Sequence, residues 1–195
     1  MEPYLYHGIR DYNIDRLINI LKEGYILPKK MLSENFKVER KNQIDFVGQN
    51  WISLAQKSLY DEYYAEVSPS IFDTHVHNHP CIVIDPSIEG IKYPTFLCYD
   101  EYGPDYIKSL INDESNTRYS IYTDELQTNI PVPTSKFLAI GYPKEHYIET
   151  KKENYQEELG RLRNALLESN LNIPIIDSSY YDFADNKEKI KKHKI

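Results

Sequence analysis

Three short segments of this chain bring together side chains that can hold a small polar ligand and stabilise charge on it. They are Leu5-Tyr6-His7-Gly8, Asn50-Trp51-Ile52-Ser53-Leu54-Ala55 and Tyr122-Thr123-Asp124-Glu125-Leu126-Gln127. An imidazole offers one donor and one acceptor, a hydroxyl serves as either, and a carboxylate accepts hydrogen bonds and favours neighbouring positive charge. Each residue also has a plain structural reading. His7 would cap a strand end, Ser53 would be a satisfied hydroxyl in an apolar strand, and Asp124 and Glu125 would be solvated charges at a turn. Trp51, the single tryptophan, reads as core. His75, His77 and His79 alternate, so on a strand they would share one face and two could bind zinc. No Cys, Asp or Glu cluster with metal spacing accompanies them, so a histidine-rich loop is the better reading and no metal is expected. Neither a phosphate loop nor a GxGxxG motif occurs, which excludes the Rossmann mode of dinucleotide binding.

The elements that must position these residues can be read from periodicity. Pro3–Gly8 is a short aromatic strand. After it, Asn13 is a plausible N-cap; Ile14, Leu17, Ile18 and Leu21 fall on one helical face, and Gly24 supplies the stop. Residues 28–47 read as loop. Asn50–Ala55 is a buried strand, Lys57–Glu66 a helix, and His79–Asp85 a strand ended by Pro86. Tyr93–Tyr99 is a further strand, and Pro104–Ile111 a short helix opened by proline. Strands follow over Tyr119–Thr123, Glu125–Thr128 and, beyond the Ile130-Pro131-Val132-Pro133 turn, Phe137–Gly141. Glu153–Ser169 is amphipathic, and Asn172–Ile176 adds a late strand. The stretch after Asn186 carries five lysines in nine residues and is expected to be a mobile tail. Strand, helix, many strands and helix in that order predict an α+β fold on a mostly antiparallel or mixed sheet.

The three segments, in this order, resemble the ADP-ribosyltransferase superfamily, in the branch whose cleft uses a His, a central-strand Tyr or Ser, and a Glu. The family opens with a strand reading YHGT and a helix reading IL..GL; this chain has YHGI and then INILKEGYIL. The family's GIYFA strand and following KS..Y correspond to Asn50–Ala55 and Lys57-Ser58, with Ser53 in the middle position when the alanines are aligned. Glu125 occupies the place of the family's glutamate, at the start of a strand that runs into a proline turn. The resemblance covers residues 4–142. It implies a split β-sheet of two small packed sheets with flanking helices, and NAD as co-substrate in the cleft between them. Residues 1–185 would form a single such domain, with residues 150–185 as a C-terminal helical extension and 186–195 as a lysine-rich tail.

The resemblance also implies roles. Breaking the nicotinamide–ribose bond leaves positive charge on the ribose, which Glu125 would stabilise while holding the sugar hydroxyls. His7 would hold the adenine-side ribose, and the backbone of Gly8 would grip the nicotinamide amide, since no Cβ intervenes. Ser53 would orient Glu125, and Tyr60 or Tyr63 would stack on the nicotinamide ring. Serine in place of the family's middle tyrosine argues against chain growth, so mono-ADP-ribosyl transfer is the expected activity. Thr123, two residues before Glu125, stands where relatives carry the Glu or Gln associated with their acceptor, and leaves the acceptor unassigned.

Composition bounds the rest. A length of 195 residues suits one domain, 41% apolar residues suffice for a core, and 18 tyrosines against 7 glycines suit packed sheet with polar tips. The net charge of −7 argues against binding nucleic acid through the overall field, although the lysine-rich end could meet phosphates. Cys81 and Cys98 lack CxxC spacing and read as buried free thiols in a reducing cytosol. With no secretion signal and no bilayer-length apolar run, a cytoplasmic protein without membrane contact is expected. The partners implied are NAD, a macromolecular acceptor (protein or nucleic acid), and an antitoxin or host protein if the setting is a toxin or a phage–host conflict. Rival readings are an NAD glycohydrolase, a non-catalytic sensor or sponge for NAD or ADP-ribose, and an interaction domain acting through the Glu153–Ser169 helix. An RNA 2′-phosphotransferase relative would need several arginines near His7, where only Arg10 stands.

Overall fold

The computed structural model describes residues 3–9, 13–28, 31, 51–57, 71–91, 95–96, 119–120, 125–150 and 154–195. Its strands are β1 (Leu5–Gly8), β2 (Tyr25–Ile26), β3 (Ile52–Gln56), β4 (Cys81–Ile84), β5 (Thr95–Phe96), β6 (Tyr119–Ser120), β7 (Glu125–Thr128), β8 (Val132–Pro133), β9 (Phe137–Tyr142) and β10 (Ile175–Asp177). The helices are α1 (Ile14–Glu23), α2 (Ile71–His75), α3 (Lys144–Glu149), α4 (Tyr155–Glu168) and α5 (Lys187–Lys192). The fold is mixed α and β. A six-stranded sheet runs in the order β10-β9-β4-β1-β3-β7, and β2-β8 and β5-β6 form two-stranded ladders. Within the large sheet only β9 and β10 are parallel. Of the predicted helix over residues 57–66 only Lys57 is described, and the predicted helix over 104–111 lies outside the described residues.

Local rules account for α1. Asn13 accepts a hydrogen bond from the Arg16 amide at 3.2 Å, and Gly24 closes the helix at φ 81°, in the left-handed region that glycine enters without strain. Its buried stripe of Ile14, Leu17, Ile18 and Leu21 packs on one face of the sheet with Leu159, Leu162, Ala165 and Leu166 of α4. Strand alternation supplies the sheet's share of that core: Leu5, Leu54, Leu126, Ile82, Ile84 and Ile140. Alternation also sends Tyr6, Ala55, Val83 and Ala139 to the opposite face, where they meet Phe72 of α2 and Phe183. Tyr6 lies edge-on to Phe72 at 4.9 Å between ring centroids and donates to the Ala184 carbonyl at 3.2 Å. Trp51 is buried, as expected of core. Cys81 is a buried free thiol, and that burial pushes its pKa well above the usual thiol range; Cys98 lies outside the described residues.

The C-terminal stretch departs from the expected mobile tail. Asn186 caps α5 by accepting from the Lys189 amide at 3.0 Å, and Lys189 and His193 both pair with Asp182. His193 and Ile190 are buried, and Ile195 donates its amide to the Ile175 carbonyl at 3.0 Å, continuing the contacts of β10. Asp177, at the end of β10, accepts from the amides of Lys144, Glu145 and Ser179 and so ties α3 to the same region. Charge count misleads here because the lysines sit on the outer side of a helix whose inner side carries Ile190. Asn186→Ala should cost about 1 kcal/mol, read as a lower urea midpoint at unchanged slope. An unaltered midpoint would mean that the cap contributes nothing.

Candidate functional site

The described parts of the three segments singled out in the sequence lie on three consecutive strands, β1, β3 and β7. Ala55 sits opposite Tyr6 on one side and opposite Glu125 on the other. Residues more than a hundred positions apart are thereby brought within two strand spacings, about 10 Å.

Pairing between β1 and β3 covers only Leu5–Gln56 and Tyr6–Ala55. Both strands go on beyond that point with their other neighbours, β1 with β4 as far as Gly8–Cys81, and β3 with β7 as far as Ser53–Gln127 and Ile52–Thr128. The sheet's hydrogen-bond ladder therefore ends between β1 and β3 where His7, Gly8 and Ser53 stand. Across this interruption the His7 ring reaches the Ser53 carbonyl, with Nδ1 2.9 Å from the oxygen. A carbonyl can only accept, so Nδ1 carries the proton and Nε2 is left as an acceptor.

Alternation along β1 places His7 on the α1 side of the sheet, with Leu5, while Tyr6 and Gly8 face α2. The crowding of protein atoms around the half-buried ring lowers its pKa to about 4, against the Ser53 hydrogen bond that would raise it; the Arg16 charge lowers it further. The unfolded chain takes up this proton near its ordinary pKa of 6.5, whereas the folded protein refuses it until about 4. Between those values the unfolded state holds more protons, so stability falls as the pH drops through the window and is fully present above it. Thermal melts across that window should show a loss that is smaller in His7→Gln, which keeps a donor for the Ser53 carbonyl but does not titrate. Parallel curves for the two proteins would sink the assignment.

Ser53 and Glu125 share the α2-side face of the sheet, on neighbouring strands and diagonal to one another. Such diagonal pairs lie about 7–8 Å apart, within reach of a long side chain. Glu125 is 4% exposed, so it is not the solvated turn charge of the plain reading. Gln127 lies two residues farther along β7 on the same face, directly opposite Ser53, and is 1% exposed. Sequence reasoning gives it no role; its signal is the two-residue spacing from Glu125 in a strand.

Gly8 has a packing reason of its own. A Cβ there would lie 1.9 Å from the His75 carbonyl oxygen at the end of α2. Its side-chain face is thus taken by protein, and a ligand could meet Gly8 only along its peptide edge. Lys57 is occupied as well: its Nζ lies 2.7 Å from Asp185 and 4.2 Å from the Tyr181 ring centroid. Tyr60 and Tyr63, the candidates for stacking on nicotinamide, lie outside the described residues.

The histidine segment is no strand. His75 ends α2, Asn78 adopts φ 60°, and the ring of His77 donates through Nε2 to the Ser179 carbonyl at 3.1 Å. Among the described residues no group of three or more His, Cys, Asp or Glu is arranged to hold a metal ion, and no helix is long and apolar enough to cross a membrane. Neither a protein-family model nor a curated protein sequence matches the chain.

Proposed function

We propose that this protein is an ADP-ribosyltransferase that cleaves the nicotinamide–ribose bond of NAD and passes a single ADP-ribosyl group to a macromolecular acceptor. The observation that carries the reading is the adjacency of β1, β3 and β7, with the β1–β3 ladder ending at His7, Gly8 and Ser53. The three motifs occupy neighbouring strands, and the opening between β1 and β3 is where His7, from the α1 side, and Ser53, from the α2 side, can meet one ligand.

In this reading the buried Glu125 carboxylate faces the ribose that becomes positively charged as nicotinamide departs. Fixed negative charge in a site sheltered from water favours that state more than it could in solvent. Ser53 lies on the same face and positions the carboxylate. His7 has a changed part. Its Nδ1–H is committed to the Ser53 carbonyl, so the ring braces the two lips of the opening and offers Nε2 to a sugar hydroxyl from the α1 side. Gly8 contributes its peptide edge to the nicotinamide amide. The setting of a toxin or phage–host effector, with an antitoxin or host protein as partner, rests on likeness to the family alone.

The direct test is nicotinamide release from NAD by the purified protein, with bacterial lysate and nucleic acid supplied as acceptors. Release with label appearing in one acceptor supports transfer and identifies the acceptor class. Release into water alone would make the protein a glycohydrolase. NAD binding without release would make it a sensor or sponge.

A further inference from the structure

Gln127 poses a question that the proposed roles leave unanswered. Its side chain is 1% exposed, and its Oε1 meets no hydrogen-bond partner among the described residues. Buried polar groups without partners are few in native proteins because the fold bears the full cost of drying them. His193 Nε2 is also buried, but it has the Asp182 carboxylate 3.3 Å away. Among the described residues Gln127 Oε1 has no such neighbour.

Its position suggests what the amide is kept for. Gln127 faces Ser53, shares a face and a strand with Glu125, and stands beside the point where β1 and β3 stop pairing. Two side chains spaced two residues apart on a strand are separated by about 7 Å at the backbone, and from there both can reach a group the size of one sugar ring. The two are chemically complementary. An ionised carboxylate only accepts, whereas an amide both donates and accepts. Together they can meet the two neighbouring hydroxyls of a ribose, whose oxygens also need donors.

We infer that Gln127 is a ribose-binding residue, its carboxamide hydrogen-bonding one hydroxyl of the sugar whose other hydroxyl is held by Glu125. The ligand class is a ribonucleotide with a free vicinal diol, and the inference rests on the NAD reading of the same site.

The test is Gln127→Met, which keeps the length of the side chain and removes its polar atoms. Relieving a stranded buried amide should raise the melting temperature by about 3 °C or more. Loss of one ligand hydrogen bond should weaken NAD binding, measured by calorimetry, about tenfold. Affinity for nicotinamide alone, which carries no ribose, should be unchanged. A merely tolerated core amide would give the rise in melting temperature with NAD affinity intact, and that outcome overturns the inference. A lower melting temperature, or a variant that does not fold, also overturns it, because the amide would then already serve the fold. If Gln127→Met binds NAD normally while Glu125→Gln abolishes nicotinamide release, only this inference falls. If the wild type does not bind NAD at all, the functional reading falls with it.

Discussion

Glu125→Gln should lower nicotinamide release from NAD by about 10²–10³-fold, with no loss of melting temperature. The substitution exchanges one carboxylate oxygen for an amide group, so shape and volume stay nearly constant and no cavity opens. What goes is negative charge, at a position 4% exposed on the strand beside Ser53. Charge matters most where water is excluded, and in the proposed reaction it is wanted only while the ribose becomes positive. The defect should therefore appear in kcat with little change in KM. Equal rates for wild type and variant would remove Glu125 from the chemistry. A rate loss accompanied by a clear drop in melting temperature would instead mark the carboxylate as part of the fold, since removing one partner from a buried charged contact is itself destabilising.

Gly8→Ala should destabilise the protein, and the reason is geometric. The added Cβ would sit 1.9 Å from the His75 carbonyl oxygen and 2.8 Å from its carbon. Both obstacles are backbone at the end of α2, so no rotamer change can clear the way. Forcing one methyl group into packed structure costs about 1–3 kcal/mol, sometimes more, which at this chain length lowers the melting temperature by roughly 3–9 °C. Gly160 is the natural control. It lies inside α4, and a Cβ there would meet nothing within 4 Å. Gly160→Ala should stabilise by about 0.5–1 kcal/mol through the loss of unfolded-state freedom. Opposite shifts for the two variants would support the close approach of α2 to β1. A Gly8→Ala protein as stable as wild type would mean that α2 packs elsewhere, and would return glycine's role to ligand approach.

The stability of the site region and its chemistry are separable by these measurements. Gly8→Ala reads packing, Glu125→Gln reads charge, and Gln127→Met reads the cost of a buried amide against its proposed use in binding.

What could be read from the sequence was what neighbouring residues settle among themselves. The Asn13 cap, the Gly24 stop and the apolar stripe between them involve contacts three or four residues apart, and α1 has the predicted ends. The apolar run at Cys81–Ile84 and the run at Phe137–Tyr142 likewise became strands, because their composition suits a sheet buried on both faces. The mixed α and β class and the order of β1, β3 and β7 along the chain were legible for the same reason. Only tertiary structure decided the rest. The lysine-rich end is helical and docked because Asp182, Ile175 and the Asn186 cap give it partners, two of which lie outside the stretch itself. The histidine segment is the turn that its loop reading expected, but what holds it is distant: Asn78 takes a left-handed conformation, and Ser178 and Ser179, a hundred residues on, bind its backbone and the His77 ring. Above all, the face on which each site residue projects depends on pairing between segments about 50 and 70 residues apart. A single step along a strand reverses that face, so local pattern could nominate His7, Ser53 and Glu125 but could not foresee that His7 stands on the α1 side while the other two look toward α2.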